Sequence, residues 1–427
     1  MTGGLTNWAG NVTFRAARVH RPTSLAELQL LTARAGRLRA LGTGHSFSLV
    51  ADTAGDLVSV AGLPPVFAVD PASGTVTVSG GLRYGEITGP LHAAGRALGS
   101  LASLPHISVA GACATGTHGS GVTSRSLAAA VSAIEMVGAG GDLITLARGD
   151  EHFPAAVVAL GALGIVTRLT LDTVPAFQLR QHVYENVPRV QLHDHLDEIL
   201  SAAYSVSLFT TWRQPGMDQA WLKTRADDAP DPGWMGGRLA AAPRHPVPGM
   251  DARHCTTQLG VPGPWHQRLP HFRLDFTPSA GAELQSEYLV PRAASLGALR
   301  ALEQNAGILA PVVQICEIRT VAADDLWLSP AYQRDSTAFH FTWVPDDAAV
   351  APVRRAAEQA LAPFAPRPHW AKLSGIDPQT VRDSYDHAAD FQRLRLQYDP
   401  AGKFGNDFVD RYLPAANPGG KPASTRS

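Results

Sequence analysis

Two glycine-rich segments in the first third of the chain place the strongest constraint on its fold. Residues 42–46 read GTGHS and follow a short alternating stretch, RLRAL, while residues 111–121 read GACATGTHGSG. Because bulky side chains are absent, such segments present consecutive backbone N–H groups that can bind pyrophosphate oxygens. They can equally be turns that only connect strands, and their spacing leaves both interpretations open.

Neither segment carries a complete nucleotide-binding signature. Phe47 follows Ser46 where the third glycine of a dinucleotide fingerprint is expected, and the second segment lacks the Gly-Lys-Ser/Thr of a P-loop. Two glycine loops, each preceded by strand or turn structure, could instead hold opposite ends of one elongated cofactor.

Length and charge limit the class of protein. A chain of 427 residues predicts two domains that share a deep interface. Its 36 basic and 37 acidic residues nearly cancel, so no overall field attracts nucleic acid or an anionic membrane. The three cysteines are far apart, which indicates neither a disulfide framework nor a zinc site. Without a secretory start or a membrane-spanning run, we expect a cytoplasmic, metal-free monomer that acts on a small molecule.

The first part of the chain mixes helical and strand patterns. Ser24 and Glu27 are spaced as a capping box before a helix that ends at Gly36. Further helices are predicted at 84–94 and 153–160, and strands at 75–78, 134–137, 143–146 and 165–171. This mixture predicts an α+β domain that ends near Pro175.

The later part is richer in strands. A proline-rich stretch from about Pro230 to Pro270 precedes two-residue periodicity in AELQSEYLV, VVQICEIRTV and AFHFTWV. The end returns to short helical patterns and DPAGKFGNDF. We therefore predict a first domain at 1–178, a second domain at 179–372, a return to the first domain at 373–418, and a tail at 419–427.

The strand periodicity predicts a shared polar surface in the second domain. Glu317 and Arg319 fall on one strand face, His340 and Thr342 on another, and Gln285 on a third. Hydroxyl groups both donate and accept hydrogen bonds, so this set suits a polyhydroxylated ligand. The same alternation also marks the solvated side of an ordinary sheet, which is the interpretation we adopt for Glu287.

The motifs together resemble the vanillyl-alcohol oxidase superfamily of covalent flavoproteins, and in particular its members that oxidise alditols. The resemblance covers nearly the whole chain through TNWAGN, GTGHSF, SLPHISVAGACATGTHGSG, PHFRLDFTPS, ELQSEYLVPR, CEIRTVAADDLWLSPAY, RPHWAK and DPAGKFGNDF. It implies a two-domain α+β fold, in which an FAD-binding domain is joined to a strand-rich substrate (cap) domain.

The resemblance also implies a set of cofactor residues. His45 would be bonded covalently to the C8 methyl group of FAD, and Ala102 would leave room for oxygen beside the flavin. The other implied flavin contacts are Gly42, Thr43, Gly44, Ser46, Ser103, Ser108, Gly111, Thr115, Gly116, Thr117, His118, Ile165 and His369. Taken from the residues alone, Ser103, Ser108 and Thr115 could as easily cap turns.

For the substrate, the resemblance implies binding by Ser103, Gln285, Glu317, Arg319, His340, Thr342 and Lys372. Four of these, Glu317, Arg319, His340 and Lys372, are expected to be catalytic. Lys372 is one of only four lysines in the chain. We expect Arg319 and Lys372 to hold the terminal hydroxyl, whereas the proton acceptor is left open between Lys372 and His340.

The activity implied is oxidation of the terminal primary alcohol of an alditol, such as xylitol or sorbitol, to the aldose. Hydride would pass to flavin N5, and O₂ would be reduced to H₂O₂. The alternative is an aldonolactone oxidase or dehydrogenase of the L-gulono-1,4-lactone type, which shares an HWAK motif like residues 369–372. A third hypothesis, a non-catalytic flavin-loaded polyol-binding protein, does not account for Glu317, Arg319 and Lys372 together.

Overall fold

A computed structural model describes residues 4–228, 235–275 and 283–415. The predicted tail at 419–427 lies outside the described residues, as do parts of the proline-rich stretch and of the PHFRLDFTPS motif.

The helices and strands of the described residues are numbered here in chain order. The helices are α1 Leu25–Arg34, α2 Tyr84–Ala93, α3 Val109–Ala114, α4 Phe153–Val157, α5 Arg189–Ser201, α6 Ser295–Gln304, α7 Ala306–Leu309, α8 Asp347–Leu361, α9 Pro378–Asp383, α10 Ala388–Tyr398 and α11 Asp407–Tyr412. The strands are β1 Arg18–His20, β2 Leu38–Ala40, β3 Asp56–Val58, β4 Phe67–Asp70, β5 Thr75–Ser79, β6 Arg96–Ala97, β7 Val131–Val137, β8 Leu143–Ala147, β9 Ile165–Asp172, β10 Val174–Pro175, β11 Gln178–Val187, β12 Ser205–Thr210, β13 Met217–Arg225, β14 Arg238–Leu239, β15 Gly263–Pro264, β16 Leu284–Pro291, β17 Val313–Val321, β18 Ser336–Trp343 and β19 Arg367–Pro368.

The first part of the chain forms a five-stranded sheet in the order β4-β5-β9-β7-β8 and a small parallel sheet in the order β1-β3-β2. All pairings within the five-stranded sheet are antiparallel. Alternate residues of its central strands, such as Val78, Ile134 and Leu169, are buried in one core. The predicted strands of this region are therefore confirmed.

Two helices of this region test the predicted helix limits. Ser24 Oγ accepts the Glu27 N–H at 3.2 Å, and Glu27 Oε2 accepts the Thr23 N–H at 2.7 Å, so α1 begins as predicted. The predicted helix at 153–160 is too long, because α4 ends at Val157. Leu160 and Gly161 adopt φ values of 53° and 67°, which belong to the left-handed region and cannot continue a helix.

A nine-stranded sheet dominates the second part. Its order is β14-β11-β13-β12-β17-β18-β16-β19, with β15 paired to β11. One face packs against α5, α6 and α8 in a core that contains Cys316, Ile318, Phe339, Phe341 and Trp343. These apolar residues alternate along β17 and β18 with Glu317, Arg319, His340 and Thr342, so the polar residues lie on the opposite face.

The last helices pack against the first domain. Val381 of α9, Phe391 of α10 and Val409 of α11 lie in the same core as Val78 and Ile87. The chain therefore leaves the first domain, builds the large sheet, and then returns to complete the first core. No helix among the described residues is both long and apolar enough to cross a membrane.

Arg39 of β2 connects segments that are distant in sequence. Its buried guanidinium donates to the carbonyls of Phe404 at 2.7 Å, Leu160 at 2.6 Å and Gly161 at 3.0 Å, and also to that of Val50. Burial, followed by the repulsive charge of Arg395, lowers the pKa of Arg39 to about 10, so the side chain remains charged at neutral pH.

The substitution Arg39→Met should lower the free energy of unfolding by about 3 kcal/mol, because it leaves several buried carbonyl groups without a donor. Urea denaturation checks this, with Arg300→Met on the exposed face of α6 as the control. Equal losses in the two variants would contradict the connecting role of Arg39.

Candidate functional site

The first glycine loop, residues 42–46, follows β2 and depends on two glycines. Gly44 has φ +72°, a left-handed conformation that side chains disfavour. A Cβ at Gly42 would lie 2.5 Å from Ser108 Oγ, so only glycine allows the loop to approach the second glycine segment this closely. The contact is reinforced by the Ser108 N–H, which donates to Thr43 Oγ1 at 3.3 Å.

His45 is held at the tip of this loop. Its Nδ1 lies 2.9 Å from Thr43 Oγ1, and its ring stacks on Trp8 with centroids 5.4 Å apart. Burial, with smaller contributions from the charges of His106 and Arg83, lowers the pKa of His45 to about 4. The imidazole is therefore neutral at neutral pH, which is the form that can act as a nucleophile.

The first glycine loop is also bonded to residues 369–372. The Phe47 N–H donates to the Ala371 carbonyl at 2.7 Å, and Ser48 Oγ donates to the Trp370 carbonyl at 2.7 Å. Lys372 and His45 are thus positioned by segments that bond directly to each other.

A cavity of about 670 Å³ extends from the glycine loops to the polar face of the nine-stranded sheet. The predicted residues that line it are Gly42, Thr43, Gly44, His45, Ser46, Ala102, Ser103, Ser108, Gly111, Thr115, Thr117, His118, Gln285, Glu317, Arg319, His340, Thr342, His369 and Lys372. Two predicted residues do not line it. Ile165 is fully buried between the lining residues Gly164 and Val166, and Gly116 forms a left-handed turn against Pro330.

Strand register explains why polar groups meet on this face. Glu287 of β16 lies opposite His340 of β18, which in turn lies opposite Glu317 of β17. In the neighbouring row Gln285 lies opposite Thr342. Because side chains directly opposite one another share a face, these three strands place all five residues on the cavity side.

The prediction that Glu287 lies on the solvated side of a sheet is wrong. Glu287 is not on a solvated surface but is completely buried, and its carboxylate binds Lys372 Nζ at 2.7 Å and an Arg319 nitrogen at 3.0 Å. His118 Nε2 lies 3.2 Å from the same carboxylate. Polar alternation cannot distinguish a solvated face from a buried polar one, so the sequence held no signal that separated Glu287 from a surface residue.

The charges around Glu287 determine protonation states in the cavity. Burial acts to raise the pKa of Glu287, but the charges of Lys372 and Arg319 outweigh it and hold this pKa well below its usual range. Burial lowers the pKa of Lys372, and the charge of Glu287 opposes this. The carboxylate is therefore ionised at neutral pH and accepts hydrogen bonds from both cations.

Glu317 forms a second set of contacts. Its Oε2 lies 3.5 Å from both Arg319 Nη1 and His340 Nδ1, and its Oε1 lies 2.8 Å from His271 Nε2. Within the described part of the chain, the buried Nε2 of His340 has no hydrogen-bond partner. Burial, with the charge of Lys372, lowers the pKa of His340 to about 4, so this ring is neutral at neutral pH.

Sequence reasoning missed two further residues next to Glu317. His271 lines the cavity, and Lys223 lies behind it, completely buried, with Nζ 3.1 Å from His271 Nδ1. Two signals were present in the sequence: the scarcity of lysine, and the PHFRLDF motif that contains His271. Among the described residues, no cluster of three or more His, Cys, Asp or Glu could hold a metal ion.

Two family models match the chain. The FAD-binding domain model matches residues 16–147, and the D-arabinono-1,4-lactone oxidase model matches residues 282–412. Among solved structures, cholesterol oxidase from B. sterolicum has a TM-score of 0.76 at 14% identity, covering 96% of this chain and 97% of that one. Xylooligosaccharide oxidase from Myceliophthora thermophila C1 has a TM-score of 0.74 at 15% identity, with 97% and 94% covered. The predicted two-domain α+β fold of the vanillyl-alcohol oxidase type is confirmed.

Curated relatives identify the family more closely. The alditol oxidase of a Streptomyces species is 51% identical over 96% of this chain and 99% of its own length. The L-gulono-1,4-lactone dehydrogenase of Mycobacterium tuberculosis is 31% identical over 96% of this chain and 98% of its own. The FAD-binding domain and the full-length similarity to this alditol oxidase together show that the chain is an FAD-dependent oxidoreductase. It belongs to the alditol oxidase family.

The substitution Glu287→Gln should lower the free energy of unfolding at pH 7 by about 3 kcal/mol, because two buried cations lose their counter-charge. A carboxyl whose pKa is lowered by folding stabilises the protein above its unfolded pKa, and this contribution is lost as pH falls. The difference between the variant and the wild type should therefore shrink as the pH falls below about 4.5, the ordinary range of a glutamate pKa.

Chemical denaturation at several pH values measures this difference. Glu303→Gln is the matched control, since Glu303 binds Arg189 and His193 on partly exposed contacts far from the cavity. A pH-independent loss in Glu287→Gln would contradict the ionised state assigned to Glu287.

Proposed function

We propose that this protein is an FAD-dependent oxidase that converts the terminal primary alcohol of alditols, such as xylitol and sorbitol, to the aldose. One observation carries the proposal: Arg319, Lys372 and the unpartnered His340 Nε2 line the same cavity as both glycine loops of the FAD-binding domain. This arrangement offers cations and a proton acceptor to one hydroxyl group beside the cofactor loops.

The residues of the cavity fit FAD. A Cβ at Gly42 or Gly111 would lie 2.5 or 2.8 Å from Ser108 Oγ, so the close approach of the two loops at the cavity wall requires glycine at both positions. We propose that the cofactor contacts are those given by the family resemblance, with Gly116 and Ile165 acting through their backbone. His45 would form the covalent bond, because its neutral ring lies in the cavity wall on a tightly held loop.

Bound FAD supplies a two-electron acceptor, which takes hydride at N5 and passes the electrons to O₂ to give H₂O₂. The chain's own residues manage the charge on the substrate. The side chains of Arg319 and Lys372 both form ion pairs with the Glu287 carboxylate, and both line the cavity. They would bind the terminal hydroxyl and stabilise alkoxide character on its oxygen as the C–H bond breaks.

His340 is the better candidate for the proton acceptor. Lys372 Nζ already donates to Glu287 at 2.7 Å, whereas the buried His340 Nε2 has no hydrogen-bond partner among the described residues. With its Nδ1 turned towards Glu317, the ring presents the Nε2 lone pair to the cavity. The hydroxyl proton would pass to this atom.

The remaining polar residues suit the rest of a polyol chain. Gln285 and Thr342 form a row beside His340, and Ser103 Oγ accepts from Arg319 at 3.3 Å. These groups would bind successive hydroxyls, because each can donate or accept. Ala102, next to Ser103 in the cavity wall, is small enough to leave space for O₂.

We also propose the domain limits 1–178, 179–372 and 373–418, since β11 opens the large sheet at Gln178 and the helices from α9 onward join the first core. The net charge of −1 and three buried free cysteines support a cytoplasmic monomer that does not bind nucleic acid.

The alternative substrate class is an aldonolactone. The similarity to a lactone dehydrogenase and to the D-arabinono-1,4-lactone oxidase model supports this alternative. Anaerobic mixing of the FAD-loaded protein with xylitol, sorbitol and L-gulono-1,4-lactone separates the two. Bleaching of the flavin absorbance by both polyols, and stoichiometric H₂O₂ in air, is the expected result. Bleaching by the lactone alone would assign the alternative, and spectral shifts without bleaching would indicate a binding protein.

The covalent bond has its own test. After precipitation in acid, the wild-type protein should keep its yellow colour in the pellet, whereas His45→Ala should release all flavin to the supernatant. His152→Ala, which alters a histidine bonded to Tyr398 instead, is the control and should behave as wild type. Free flavin in the wild-type supernatant would contradict the attachment.

A further inference from the structure

A buried row of three polar side chains leads from Glu317 away from the cavity. Glu317 Oε1 lies 2.8 Å from His271 Nε2, and His271 Nδ1 lies 3.1 Å from Lys223 Nζ. Glu317 and His271 line the cavity, whereas Lys223 does not. The row therefore joins a predicted catalytic carboxylate to a cation that the substrate cannot touch.

Lys223 occupies a place where packing alone favours an apolar residue. It lies on β13, is 1% exposed, and forms no ion pair within the described residues. A buried charge without a counter-ion is costly, and a methionine of similar length would avoid that cost. Lys223 is instead stabilised by hydrogen bonds from its Nζ. These bonds indicate a role beyond packing in the core.

Hydrogen-bond geometry accounts for all three ammonium hydrogens. Lys223 Nζ donates to the carbonyl of Leu269, to that of Pro270 at 3.4 Å, and to His271 Nδ1. Burial lowers the pKa of Lys223 to about 7. Below this pH the group is an ammonium without a lone pair, so His271 Nδ1 must be the acceptor. A neutral imidazole then carries its hydrogen on Nε2, from which it donates to Glu317.

The ring of His271 cannot easily turn to change this arrangement. It lies edge-on against Trp221 at 5.2 Å and Phe209 at 5.6 Å between ring centroids. Trp221 and Lys223 are on the same face of β13, so the strand supplies both the cation and part of the wall.

We infer that Lys223 and His271 are positioning residues that fix the Glu317 carboxylate for the substrate. Lys223 sets the tautomer of His271, His271 holds Oε1 of Glu317, and Oε2 is left to face Arg319, His340 and a substrate hydroxyl. This inference rests on the proposed function, because it assigns Glu317 a place in that reaction.

The surrounding charges define what removal of Lys223 should do. Lys223 faces Glu317, Arg319 and Cys255, and the thiol pKa of Cys255 is raised to about 12, mainly by burial, so this thiol carries no charge. Burial first, and then the charge of Lys223, lowers the pKa of His271 to about 4, while Glu317 opposes this and Arg319 adds to it. In Lys223→Met the pKa of His271 should therefore rise.

This gives a pH signature that a purely structural role does not produce. At low pH, the protonated His271 of Lys223→Met still donates from Nε2 to Glu317. As pH rises towards 7 the ring of the variant becomes neutral and is free to carry its hydrogen on Nδ1, so Glu317 loses the donor that charged Lys223 secures in the wild type. The defect in flavin reduction relative to the wild type should therefore grow as pH rises towards the pKa of Lys223, about 7.

The experiment measures the limiting rate of anaerobic flavin reduction by xylitol between about pH 5 and 7, where an ordinary histidine changes charge and wild-type Lys223 keeps its proton. Lys223→Met should lose about tenfold or more near pH 7 and much less near pH 5, as expected for loss of an outer hydrogen-bond partner. His271→Gln, whose amide nitrogen can donate to Glu317 at any pH, should show a loss that does not vary with pH. In the double variant, Lys223→Met should add no pH-dependent loss.

A loss in Lys223→Met that is constant with pH, or that is the same in the His271→Gln background, would overturn the inference. Flavin content and thermal unfolding establish whether each variant is folded. If Lys223→Met does not fold, His271→Gln and His271→Leu decide the matter: we expect the leucine variant to be at least about tenfold slower than the glutamine variant. Equal rates would overturn the inference. A wild-type flavin that no alditol reduces would instead overturn the proposed function.

Discussion

The contact of Glu287 with both Arg319 and Lys372 is the interaction on which the rest of the site depends. Two cations buried beside each other repel, and removing them from water is costly. One ionised carboxylate, buried between them, offsets the repulsion and orients both groups towards the same cavity. Without it, the positive charge proposed to stabilise an alkoxide would have no fixed position.

The two halves of the cavity are also joined mechanically. The first glycine loop bonds through Phe47 and Ser48 to the backbone that carries Lys372, and Arg319 bonds to Ser103 from the first domain. A shift of either domain would therefore displace the residues that the other domain contributes to the site. Such bonding suits a reaction in which a carbon held by one domain must meet a ring held by the other, since small displacements in such geometry greatly reduce rates.

The architecture and most of the cavity wall were predicted from the sequence through the family resemblance, whereas local rules alone gave less. Period-two alternation predicted that Glu317, Arg319, His340 and Thr342 share a polar surface, but the glycine loops alone left a cofactor site and ordinary turns equally open. The exposure of that face could not be predicted, since a solvated polar stripe and a buried polar network have the same alternation. Glu287 was misjudged for this reason. Lys223 was missed because its role depends on His271, which lies 48 residues away in the chain.

The return of the last helices to the first core has a consequence for biosynthesis. Val409, Tyr412 and Leu413 lie in the core of the first domain, close to the end of a chain of 427 residues. The glycine loops are therefore synthesised long before the apolar residues that complete the core of their domain. Unlike a domain that folds as soon as it emerges, the nucleotide-binding half must wait for the entire second domain. Loading of the prosthetic group then has to follow the synthesis of these last core residues.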